Sequence, residues 1–364
     1  MTKSDRALRA WRLLGAMTLM LGSMGAQAAP PMYRITRITP PVGQGYCQVL
    51  GLNDAAQAIG ACNTKGFFVW SQATGAQTYG DPNFPDAVFW PSAINNVGAV
   101  IGGRYENHKT RNPGFLWDAV NGFRYFGGKD GTFLEVRGIN DSNQVVGVRA
   151  VDDGAFVWKS FRWSEADGMT LLKPSADRRT LATAINNAGQ IAGTIERLDT
   201  GHTYAVRYEP DGDVTHMLPS HAAVSPYALN GLGQAAGGMS TPKHGHQAFF
   251  WTPEAGAVNI DNRPLRSDQS YALDMNDAGQ VVGQMSWVGS GGNTYEAAFY
   301  WDASTGMRDI LTLLDPNDPL TSQLSGLGAP SARINSQGQI VVDAYTQLGE
   351  SWPVLLTPVT VVVP

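Results

Sequence analysis

Short apolar stretches alternate with polar, turn-like steps along this chain, and one such step is written seven times. The copies are LNDAAQAIG from Leu52, INNVGAVIG from Ile94, INDSNQVVG from Ile139, INNAGQIAG from Ile185, LNGLGQAAG from Leu229, MNDAGQVVG from Met275 and INSQGQIVV from Ile334. Their asparagines are Asn53, Asn95, Asn140, Asn186, Asn230, Asn276 and Asn335, spaced 42, 45, 46, 44, 46 and 59 residues apart. A fixed period of this size marks a repeat architecture. A second phrase follows each first one: FFVW to Trp70, GFLW to Trp117, SFRW to Trp163, AVRY to Tyr208, AFFW to Trp251, AFYW to Trp301 and a degenerate VLLT to Thr357. A glycine stands five residues after most of these aromatics, at Gly75, Gly122, Gly168, Gly256 and Gly306, and a short alternating stretch comes next.

Each unit therefore predicts two hairpins, a strand into Asn, a strand out of it, an aromatic strand and a short last strand. Four short strands in roughly 45 residues is the size of one propeller blade. The seventh unit stops after its third strand, while MYRITRI at residues 32–38 precedes the first Asn phrase as an orphan strand. Pairing the two would build the last blade from both ends and close the ring, removing the open edge of an unclosed array. The expected fold is all-β: a seven-bladed β-propeller, about four antiparallel strands per blade, in one domain over residues 29–364.

The repeated phrase reads as turn chemistry. Asn opens a tight turn because its side chain accepts a hydrogen bond from the backbone two residues on. Three residues later stand Gly98, Gly189, Gly233, Gly279 and Gly338, with Asn143 and Ala56 in the other copies. A left-handed residue is expected there; Ala56 suits it poorly. A longer first loop with Leu52 opposite Gln57 would place Cys47 and Cys62 directly across from one another, and a structural disulfide is expected between them. Gly60, Gly102, Gly147, Gly193, Gly237 and Gly283 recur seven residues after Asn, a mark of a bulge or close backbone approach.

Composition places the chain. Lys3, Arg6, Arg9 and Arg12, an apolar run over residues 13–24 and the small-x-small site at Ala26-Gln27-Ala28 predict a signal peptide over residues 1–28. Removing it takes the formal charge from −5 to about −8. An acidic chain without a basic face argues against nucleic-acid binding. No later apolar run is long enough to span a bilayer. Export, to the periplasm or beyond the cell, also fits a disulfide.

The INxxGQhhG phrase followed by A-F-x-W resembles the HAF-repeat family of bacterial extracellular proteins. Residues 247–251 (QAFFW), 154–158 (GAFVW) and 297–301 (AAFYW) carry the resemblance most clearly. It implies an exported, propeller-like protein and brings no catalytic residues. Tyr208 and the last copy depart from the pattern, and Trp158/Trp163 and Phe89-Trp90 double it.

The repeating Asn, Gln and aromatic residues are expected to build the frame, so function is sought where the repeat breaks. Trp287 is expected in SWVGSGGNTY, a glycine-rich loop between the second and third strands of unit six, and Phe84 and Trp90 lie in an atypical join. These aromatics, with His244 and His246, are the ligand-binding candidates. The His pair lacks the third ligand of a zinc site, so neither a metal nor a cofactor is expected. The chain holds no G-x-S-x-G, H-E-x-x-H or P-loop phrase. The insertion at residues 311–330 is expected to cap the central channel or to cross between blades. The expected function is non-catalytic, a monomeric scaffold for a protein partner or cell-surface glycan. The alternative is a hydrolase or lyase acting on an extracellular polysaccharide, with residues gathered on loops around the axis.

Overall fold

The structure is a computed structural model that describes residues 30–41, 46–62, 65–106, 112–128, 133–151, 157–173, 178–218, 224–241, 245–263 and 268–359. The expected signal peptide lies outside these residues, as does His244. Twenty-eight strands form seven four-stranded antiparallel sheets, and the only helices among the described residues are two 3-10 turns, Ile310–Leu313 and Thr321–Gln323. Six blades are continuous in sequence, at residues 47–79, 88–126, 134–171, 178–216, 224–259 and 269–309. The seventh joins residues 324–359 to the strand Met32–Arg37, which pairs with Ser351–Val359 from Met32↔Val359 to Arg37↔Val354. Closure by the N-terminal strand is thus realised.

The insertion does not cap the channel. It crosses from blade six to the closing blade: residues 311–323 pack on that blade's outermost strand, where Asp315 N–H donates to Tyr33 C=O (2.8 Å) and Asp318 Oδ2 accepts from Ile35 N–H (2.8 Å), and residues 324–330 enter its innermost strand. A terminal strand with an open edge is a weak point, and this segment covers it.

In each blade the Asn phrase joins the innermost strand to the second. Asn53 C=O accepts from Ala56 N–H, Asn140 C=O from Asn143 N–H, and the other five from the glycine three residues on. Ala56 adopts the left-handed conformation (φ 55°) as fully as Asn143 (57°) and Gly189 (79°) do. The first turn is therefore the same as its siblings, and Leu52 pairs with Ala58 rather than Gln57. That register alone would separate the cysteines. A one-residue bulge at Leu50 restores it, so Cys47 lies opposite Cys62 and the disulfide forms with Cα atoms 4.0 Å apart. Closing a 15-residue loop contributes on the order of 3 kcal/mol in the chain-entropy picture.

The same bulge recurs in blades one to six, and the glycine seven residues after Asn is its counterpart. A Cβ on Gly147 would sit 2.1 Å from Glu135 C=O, and on Gly102 2.1 Å from Trp90 C=O. The aromatic residue of the third strand, Phe161 or Phe115, pairs across from that glycine, and its ring fills the space a Cβ would need. Blade seven has Val342 there, and its innermost strand leaves regular pairing between Gly328 and Arg333. Seven clusters of buried side chains, one at each blade interface, make up the core.

The asparagines do more than turn the chain. Each Nδ2 donates to the C=O of the next blade's Asn, from Asn53 to Asn95, Asn140, Asn186, Asn230, Asn276 and Asn335 and back to Asn53, at 2.9–3.2 Å. Seven hydrogen bonds thus run unbroken around the axis. Each Oδ1 meanwhile accepts the N–H four residues on within its own turn, as Gln190 N–H to Asn186 (3.0 Å). One side chain fixes the local turn and staples it to its neighbour.

Candidate functional site

The innermost strands all run toward the Asn turns, so the propeller has a turn face and an opposite loop face. Their walls enclose an axial cavity of about 510 Å³. Its composition follows from aligning the seven phrases two residues before Asn. That layer holds Gly51, Ala93, Gly138, Ala184 and Ala228, then Asp274 and Arg333 on adjoining blades, all lining the cavity. Five small residues keep the bore open, and two charged side chains enter it from one side.

Asp274 is held by backbone: Oδ1 accepts from Met275 N–H (2.9 Å) and Oδ2 from Ile334 N–H of blade seven (2.9 Å). Burial raises its pKa, against the lowering pull of the Arg333 charge and those two N–H groups. Burial lowers that of Arg333, against the opposing pull of Asp274. Arg333 Nη1 donates to Ala332 C=O (2.8 Å). Across the axis on blade three, Arg137 Nη2 donates to Glu135 (3.1 Å), a pair made within one strand. The bulged residues Ser92, Thr183 and Tyr227 complete the polar wall.

Tyr227 neighbours Tyr271, which belongs to a second group between blades five and six. The Tyr271 ring of blade six packs on Gly238 of blade five, where a Cβ would come within 2.7 Å of it. His246 lies 5.3 Å from that ring and shares a hydrogen bond with Ser240 Oγ (3.2 Å). His246 is in the strand Gly245–Thr252, and its expected partner His244 lies outside the described residues. Among the described residues no three His, Cys, Asp or Glu groups come together as metal ligands.

The aromatic candidates fall in different settings. Trp287 is not in a loop: it is the penultimate residue of the strand Val281–Val288, opposite Tyr295 and stacked on it at 5.8 Å. The hairpin tip is confined to the glycines beyond, so the indole is half-buried. Phe84 sits under the Arg104 guanidinium (3.7 Å), whose other neighbour is the Tyr125 ring (4.6 Å). Tyr125 Oη donates to Asp81 (2.6 Å) and Arg104 pairs with Glu106 (2.8 Å). This stack occupies one face of Phe84. The remaining surface opens on a cleft of about 500 Å³ with Lys65 and Asp86. Trp90 is exposed (37%), in the innermost strand of blade two near its loop-face end.

The exposed aromatics share one side. Tyr46, Trp90, Phe133, Tyr227, Tyr295 and Tyr345 stand at the loop-face ends of strands or, for Tyr227, in the axial cavity. The turn face exposes Val97, Val120 and Leu232 but no aromatic ring among the described residues.

No known family profile matches the sequence, and no curated protein matches it either. Solved structures do. A prolyl endopeptidase superposes with TM-score 0.56 at 10% identity, over 98% of this chain and 52% of its own. A puromycin hydrolase S511A mutant complexed with PGG gives 0.51 at 11%, over 91% and 52%. Dipeptidyl peptidase 4 of Porphyromonas gingivalis gives 0.50 at 7%, over 86% and 51%. The shared feature is the propeller fold. This chain spans about half the length of each of those proteins, and at such identities the likeness carries no residue roles.

Asp274, Arg333 and Tyr227 were not among the residues singled out by motif. For Asp274 and Arg333 the signal was in the alignment of the repeats: at a position otherwise Gly or Ala, two neighbouring copies carry opposite charges.

Proposed function

We propose that this chain is an exported, monomeric, non-catalytic propeller of the HAF-repeat kind, binding a cell-surface glycan or a protein partner through its loop face. The observation that carries this reading is the one-sided distribution of exposed aromatic rings, which stand at the loop-face ends of strands or, for Tyr227, in the axial cavity. Tyr and Trp offer large, rigid contact area with a polar edge, which suits them to sugar rings and to protein hot spots. The repeating polar groups are already occupied in the Asn ring. A leader-like N-terminal segment and the Cys47–Cys62 disulfide support export. A glycan array and a surface-protein capture assay test the reading, with Trp90→Ala and Tyr345→Ala as variants. Binding should fall about tenfold or more while melting is unchanged. Binding that survives both substitutions, or that follows turn-face substitutions instead, overturns it.

One observation favours the enzymatic alternative. Asp274 is a buried carboxyl with a raised pKa in a cavity, beside a fixed positive charge, an arrangement common at catalytic sites. Polysaccharide cleavage that Asp274→Asn abolishes would establish that alternative.

A further inference from the structure

We propose that the axial cavity binds a single carboxylated sugar, a uronate unit of an acidic glycan, with its carboxylate seated on the Arg333 guanidinium. This deepens the glycan form of the reading above and rests on it. The cavity, about 510 Å³, falls within the roughly 300–1,000 Å³ of small-molecule sites. The five Gly and Ala residues at the Asp274–Arg333 level supply the room.

Charge selects the ligand group. A guanidinium offers five N–H donors in a rigid fork that matches a carboxylate. Arg137 already has Glu135 as a partner. Arg333 donates to Ala332 C=O, while both oxygens of Asp274 accept backbone N–H groups. The remaining Arg333 donors therefore face a cavity in which a ligand carboxylate can take them in bidentate fashion. The wall selects a sugar: the Ser92 and Thr183 hydroxyls keep lone pairs for ligand hydroxyls, and Tyr227 presents an aromatic ring.

Asp274 opposes an anion when ionised and can donate to one when protonated. The charged groups facing it are Arg333 on blade seven, Glu135 and Arg137 across the axis, and Asp54, Asp141 and Asp277 at the turn-face mouth. Burial favours its protonated form, so uronate binding takes up a proton and strengthens as pH falls.

The test is calorimetric titration of the full exported protein with D-glucuronate, D-glucose and succinate at about pH 5.5 and about pH 8. Glucuronate should bind, more tightly at the lower pH, with glucose and succinate each weaker by about tenfold or more. Arg333→Gln should weaken glucuronate by a similar factor. Asp274→Asn should tighten it at the higher pH and flatten the pH dependence. Equal binding of succinate and glucuronate overturns the sugar assignment. An unchanged affinity and pH profile in Asp274→Asn overturns the site, even if Arg333→Gln fails to fold. Absence of glucuronate binding with polymer binding intact overturns this inference alone. Glucuronate binding with no effect of Trp90→Ala on polymer binding overturns the loop-face reading alone.

Discussion

The ring of asparagines makes a sharp prediction at Asn186. Its Oδ1 accepts from Gln190 N–H (3.0 Å), and its Nδ2 donates to Gln190 Oε1 (2.8 Å) and to Asn230 C=O of the next blade (2.9 Å). The side chain is buried at 5% exposure. Asn186→Ala removes all three hydrogen bonds. At about 1 kcal/mol each, and more where a buried partner is stranded, the expected cost is about 3 kcal/mol. The adjoining Asn187 also bonds across blades, donating from Nδ2 to Asp141 (2.7 Å) and accepting from Asp141 N–H (2.9 Å), but it is exposed, where water replaces lost partners. Asn187→Ala should therefore cost about 1 kcal/mol or less. Asn186→Asp keeps the shape and the acceptor but aims a carboxylate at two oxygens. It should destabilise as strongly as alanine at neutral pH. Protonation restores one donor, so part of that loss should return as pH falls below the raised pKa of the new carboxyl. Urea unfolding followed by tryptophan fluorescence and by circular dichroism reads these differences, with coincident midpoints as the check on two-state behaviour. If Asn186→Ala costs no more than Asn187→Ala, the inter-blade staple contributes nothing and the reasoning fails.

Two further predictions use the same measurement. Gly147→Ala places a Cβ 2.1 Å from Glu135 C=O and should cost several kcal/mol or prevent folding. Gly256→Ala, at φ 73° with nothing within 4 Å, should cost only about 1 kcal/mol, so similar losses in the two would refute the close-approach account. Asp343, buried where blade seven meets blade one and accepting from Val49 N–H, has its pKa pushed up by burial from 3.8 to about 6. A raised folded-state pKa means that its stabilising proton is fully present below about pH 4 and lost as pH rises through about 6, a change of up to about 3 kcal/mol. Asp343→Asn should therefore gain on the wild type between pH 4 and pH 7, and a constant difference across that window would show that the carboxyl is not strained by burial.

Much of the fold was legible because the repeat is local chemistry. Turn residues, strand period and unit length follow from neighbours in sequence, so the blade count, four-strand unit and N-terminal closure could be read directly. Trp287 was misplaced because its glycine-rich surroundings suggest a loop, whereas the strand pairing that reaches it depends on Tyr295 across the hairpin. The cysteine pairing was right for the wrong reason. The bulge at Leu50 that brings Cys47 opposite Cys62 is set by packing around Gly60, where a Cβ would come within 2.3 Å of Gln48 C=O, and not by the turn.

The sequence alone determined the unit and its number, since hydrogen bonds between residues two to four apart need no knowledge of the rest of the chain. Only the tertiary structure decided what each Asn does with its second polar atom, because that partner lies 42 to 59 residues away, or 282 at the closure. It also decided that Asp274 and Arg333 share a cavity. Seven copies of one strand must converge on an axis before a position in a repeat becomes a layer in a wall.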